Sequence, residues 1–73
     1  MPRDVAIRGD TIRLGQLLKL AGLVGAGGEL KAMLASTPVL VNGEPDNRRG
    51  RQLHPGDVVA ISGEEIRVVA QPG

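Results

Sequence analysis

Arg48, Arg49 and Arg51 place three guanidinium groups within four positions of a 73-residue chain. Each is charged at any physiological pH and offers a planar fork of donors that suits phosphate or carboxylate oxygens. A cluster of this kind binds oxyanions; it does not break bonds. Gly50, inside the cluster, removes a side chain and lets backbone approach a ligand closely. Lys19 and Lys31, upstream, could extend the same surface. The plainer reading is also open: a solvated loop that keeps a small domain soluble, and two ordinary surface lysines.

Other chemistries find little support. The chain has no cysteine and one histidine, so disulfide frameworks, thiolate sites and histidine-based zinc sites are excluded. His54 has no nucleophile or carboxylate set at recognisable spacing and reads as a turn residue before Pro55-Gly56. Glu64-Glu65 reads as the solvated tip of a hairpin, and Asp57 as a turn former that bonds nearby backbone. The run Gly25-Ala26-Gly27-Gly28 invites a phosphate-loop reading, but no Gly-Lys-Ser/Thr follows and the GxGxxG spacing breaks at Leu30. A narrower role remains for Gly27 and Gly28, whose backbone N–H groups at the start of a helix could hold one phosphate. No cofactor motif is present, and the residues point to a protein that is not an enzyme.

Charge is unevenly spread. Residues 13–51 carry six basic against three acidic side chains, whereas residues 52–73 carry one against three. A basic middle and an acidic tail suggest one side that faces a polyanion. No Phe, Tyr or Trp is present, so base stacking on aromatic rings is unavailable. No apolar run approaches the ~18 residues of a membrane span, and the first ten residues lack the apolar stretch of a signal peptide. A soluble cytoplasmic protein without membrane contact is the expectation.

The elements that must position these residues follow from spacing. One domain is expected, with residues 1–11 as an N-terminal extension or strand, 12–69 as the core and 70–73 as a frayed tail. Residues 5–14 read as two short extended pieces around Gly9-Asp10, with Val5, Ile7, Ile12 and Leu14 inward. Leu14, Leu17, Leu18 and Ala21 stand at i, i+3, i+4 and i+7, which predicts a helix over 15–21 ended by Gly22. A second helix is predicted over 28–36, with Leu30, Met33 and Leu34 inward and Lys31 toward solvent, stopped by Pro38. Val39 and Val41 point inward on a strand that ends in an Asn42-Gly43 turn. Strands are predicted over 58–61 and 66–69, with 62–65 as the turn between them. The fold class is α+β: two short helices packed on a small, mostly antiparallel curved sheet.

In this order and spacing the chain resembles the S4-like RNA-binding domain, also called the αL motif. It is most similar to the small stand-alone bacterial proteins of the YbcJ-like group. The resemblance runs from Ile12 to Val69. It is carried by Ile12-Arg13-Leu14 leading into Leu17-Leu18-Lys19, by Gly27-Gly28-Glu29-Leu30-Lys31, by Val39 to Glu44, by Arg48-Arg49-Gly50-Arg51, and by Leu53 with Gly56-Asp57-Val58-Val59. It implies two helices on a small curved sheet, and binding of structured RNA, ribosomal RNA or tRNA, without DNA specificity. The contacts it implies come from the start and polar face of the second helix and from the following loop. On this chain those are Lys31, Arg48, Arg49 and Arg51, with Lys19 a weaker transfer. Three positions depart from the pattern: Ala26 where the family commonly has Ser, Ser36-Thr37-Pro38 where it usually has Gly, and Gly15 where it often has Asp.

Two other readings stand beside this one. The same basic loop could serve a protein-interaction module facing an acidic partner, including ribosome-associated proteins. A β-grasp sulfur carrier shares the size and the Val-Asn-Gly element, but would use a C-terminal Gly-Gly, where this chain ends Gln71-Pro72-Gly73.

Overall fold

The computed structural model describes residues 2–25 and 28–72. Strand β1 (Arg3–Ile7) and the short β2 (Ile12–Arg13) precede helices α1 (Leu14–Leu20) and α2 (Glu29–Ser36). Five strands follow: β3 (Val39–Val41), β4 (Glu44–Pro45), β5 (Gln52–Leu53), β6 (Val58–Ile61) and β7 (Glu64–Ala70). The main sheet has the order β1-β7-β6-β3-β4, antiparallel except that β1 runs parallel to β7. A second, two-stranded sheet pairs β2 with β5. This is the α+β architecture expected from the order of elements.

The core is wholly aliphatic. Leu14, Leu17 and Leu18 of α1 are fully buried, and Leu30 and Leu34 of α2 are nearly so. They pack with the inward residues of the strands, among them Val39, Val41, Val59, Ile66 and Val68. Period-two alternation sets the strand contribution: Val39 and Val41 are buried while Leu40 between them is exposed. Among the described residues no helix is long and apolar enough to cross a membrane.

Local chemistry explains the boundaries. Helix α1 ends in a Schellman motif, with Gly22 at φ +79°, Gly22 N–H donating to the Lys19 carbonyl and Leu23 N–H to the Leu18 carbonyl. Helix α2 ends where Thr37, before Pro38, turns extended. Observed helices begin at Leu14 and Glu29, so α1 is displaced by one residue from the predicted span and α2 starts one residue later. Asn42 and Gly43 both adopt left-handed φ and join β3 to β4 as a two-residue turn.

Two expectations change. Glu64-Glu65 is not a hairpin tip: both residues lie in β7, paired with Ile61 and Ala60. The turn is only Ser62-Gly63, both at positive φ, which suits a tight hairpin between twisted strands. At the tail, Ala70 closes β7 opposite Ile7, and the Gln71 N–H donates to the Ile7 carbonyl at 2.9 Å. The chain is therefore held further along than its composition implies. Helices of seven and eight residues also deprive the β-grasp alternative of the single long helix it needs.

A polar clasp joins the two turns beside β6. The Asn42 amide donates to Asp57 at 3.1 Å, its oxygen accepts from Val58 N–H at 2.9 Å, and Asp57 accepts from His54 N–H at 2.7 Å. Asn42→Ala removes two of these bonds and a residue that tolerates left-handed φ. It should lower stability by about 1–2 kcal/mol, measured by urea or thermal unfolding.

Candidate nucleic-acid interface

The arginine loop is fastened to the start of α1 by backbone. Leu14 N–H donates to the Arg51 carbonyl at 2.8 Å, and Gly15 N–H to the Arg49 carbonyl at 2.9 Å. The first N–H groups of a helix have no partner within the helix. Here the N-cap residue, Arg13, supplies no side-chain bond. The loop carbonyls take that role, which explains how α1 starts at Leu14 without a side-chain cap.

Gly15 is also a point of close approach. A Cβ there would stand 2.7 Å from Leu30 Cδ2 and 3.4 Å from both the carbonyl oxygen and the Cβ of Arg49. The absent side chain lets α1, α2 and the loop meet.

The three arginines differ from one another. Asp46, whose side chain is only 8% exposed, accepts from Arg48 Nε and Nη2 at 3.1 and 2.8 Å and from Arg51 Nη1 at 2.8 Å. Its Oδ1 also accepts from the Arg48 backbone N–H at 3.0 Å, an Asx turn. Arg48 and Arg51 are thereby oriented and partly neutralised. Arg49 has no ion-pair partner among the described residues and is exposed. The side-chain and backbone bonds from Arg48 hold the Asp46 carboxyl well below the usual carboxylate range; partial burial opposes this, and Arg51 adds to the lowering.

Arg49 forms the shared wall of two grooves. One lies between the loop and α2 and is lined by Lys31, Leu34, Ala35, Asn47 and Arg49. The other lies between the loop and α1, with Arg13, Gln16, Lys19 and Arg49 around it and Leu30 and Gly15 beneath. Three exposed cations from three elements, Arg13 of β2, Lys19 of α1 and Lys31 of α2, thus gather around one guanidinium. Lys31, Lys19 and Arg49 were singled out by sequence. Arg13 was not, although its position directly before the leucine stripe was a usable signal. Asp46 was missed as well; its spacing of two before Arg48, with an Asx turn, was the available clue.

The start of α2 is arranged differently. Gly28 precedes the helix, and Gly27 lies outside the described residues, as does Ala26. Glu29 places a carboxylate at this end, where its Oε2 accepts from Gly25 N–H at 2.7 Å. This carboxylate is bonded to the loop upstream of the helix. Among the described residues no group of three His, Cys, Asp or Glu side chains gathers to hold a metal.

Residues 5–69 match the sequence model of the S4 domain. This chain belongs to the S4 domain family. Among proteins similar to it is a probable ribosome maturation protein, RlbA, of Bacillus subtilis (strain 168). The two are 52% identical over 63 residues, which cover 86% of this chain and 89% of that protein. The S4 domain thus accounts for nearly the whole chain, and the matched span takes in most of β1 and of β7.

The Asp46 pairing has a pH signature. Folding lowers the proton affinity of this carboxyl, so its stabilisation is full above the unfolded chain's ordinary value near 3.8 and is lost as pH falls through the lower folded value. Asp57 shifts the same way: burial opposes ionisation, but the His54 N–H and the Asn42 amide, aided by the charges of His54 and Arg51, outweigh it. Asp46→Asn should cost on the order of 1–3 kcal/mol at pH 7. It should also flatten the acid limb of stability against pH, measured by denaturant unfolding from pH 7 to pH 2.

Proposed function

We propose that this chain is a non-catalytic module that grips the phosphates of a folded RNA through Arg13, Lys19, Lys31 and Arg49. The observation that carries the reading is the place of Arg49 on the divide between two grooves, with the other three cations around it. Guanidinium and ammonium groups spaced over a concave surface match the phosphates of a curved backbone. Arg48 and Arg51, fixed by Asp46, add an oriented positive edge. With no aromatic side chain in the protein, recognition rests chiefly on the shape and backbone of the RNA.

The relative's name, a probable ribosome maturation protein, supports ribosomal RNA of an assembling particle as the partner and the cytoplasm as the place. Retention of the tagged protein on ribosomal particles should then be abolished by RNase, and survival of the same partners after RNase would reassign the loop to protein contact. In filter binding to a structured ribosomal RNA fragment, Arg49→Ala and Lys31→Ala should each weaken affinity by roughly tenfold. Arg48→Ala should cost less, because its guanidinium is already engaged by Asp46. Equal affinities for wild type and the Arg49→Ala, Lys31→Ala double variant would contradict the assignment.

A further inference from the structure

Gln16 stands between the cationic groove and a second hollow. On one side are Arg13, Lys19 and Arg49. On the other is a hollow of about 310 Å³ with Ile12 and Leu20 in its wall, and Arg8, Thr11, Gln16 and Gln71 around it. Leu20 is 57% exposed, more than any other large apolar side chain among the described residues. Gln16 and Leu20 are one helical turn apart and share a face, while Lys19 flanks them toward the groove. A leucine held this open beside a phosphate-binding surface is not accounted for by phosphate contact.

The polar groups around it suit a particular occupant. A primary amide offers both a donor and an acceptor, the pair of functions that reads the edge of a base. Neither the Gln16 nor the Gln71 side chain has a hydrogen-bond partner among the described residues, while the backbone of Gln71 is pinned to Ile7. Cations bracket the hollow, with Arg13 and Lys19 across Gln16 and Arg8 on the other rim. Phosphate, base and phosphate along one strand follow the same alternation. Loops and bulges of folded RNA present bases whose faces are free to meet an apolar surface.

We propose that this hollow is a subsite for one unpaired nucleobase of the bound RNA, with its face on Leu20 and Ile12 and its edge read by Gln16 and Gln71. The assignment rests on the phosphate-binding reading above and adds a base-selective contact to it.

The test uses three hairpin RNAs with one stem: fully paired, carrying a single-nucleotide bulge, and carrying the same bulge with an abasic site. The wild-type protein should bind the bulged hairpin about fivefold more tightly than the abasic one, the worth of covering a half-exposed leucine. Leu20→Ala should erase that preference and leave affinity for the paired hairpin unchanged. Gln16→Ala should alter the ranking of the four bases at the bulge. Equal wild-type affinity for the bulged and abasic hairpins would overturn the subsite; if Arg49→Ala still weakened binding to both, the phosphate reading would survive alone. Loss of particle binding by Leu20→Ala after RNase treatment, with all hairpins unaffected, would make the hollow a protein contact and also overturn it.

Discussion

Two backbone hydrogen bonds, from Leu14 N–H and Gly15 N–H to the carbonyls of Arg51 and Arg49, determine where the cationic surface lies. They satisfy the open end of α1 and at the same time fasten a loop that belongs to no long strand. The β2–β5 pairing, which sets Ile12 against Leu53 and Arg13 against Gln52, continues this attachment on either side. Gly15 is the steric condition for the junction, since a side chain there would meet Leu30 of α2 and the loop backbone. The positions of Arg13, Lys19, Lys31 and Arg49 relative to one another all follow from this small region. The main sheet contributes a rigid floor of aliphatic side chains beneath the helices.

Electrostatics then sorts what the backbone has assembled. One carboxylate, Asp46, engages two of the three loop arginines and leaves Arg49 to the grooves. A loop with three unrestrained guanidinium groups would repel itself and sample many geometries. A nearly buried acid that accepts bonds from both the backbone and the side chain of Arg48 exchanges some net charge for order. For a surface that recognises RNA through shape, the relative placement of charges matters more than their number. A domain this small has few residues with which to fix such a placement, and the chain uses carbonyls, one acid and one glycine for it.

Much of the fold was legible because its determinants are local. The leucine stripe 14/17/18, the stop at Pro38 and the Asn42-Gly43 turn each act within a few residues, and the structure follows them closely. The parallel pairing of β1 with β7 was not legible, since it joins the two ends of the chain and has no local sign. The Ser62-Gly63 turn was read as too long because serine at left-handed φ leaves no compositional trace, which moved Glu64 and Glu65 out of their strand. In the candidate site, the charge density of the loop was plain, but its division was not. Asp46 was visible as a charge and overlooked as a partner, and Arg13 joins the groove only when the loop folds back over α1.

The central claim, that a defined set of cations meets RNA phosphates, is tested most directly by the salt dependence of affinity for a structured ribosomal RNA fragment. With four phosphate contacts, the logarithm of the association constant should fall against the logarithm of salt concentration with a slope of about −3. Loss of Arg49 should reduce that slope by close to one contact. A slope near zero, or one that Arg49→Ala leaves unchanged, would contradict the account.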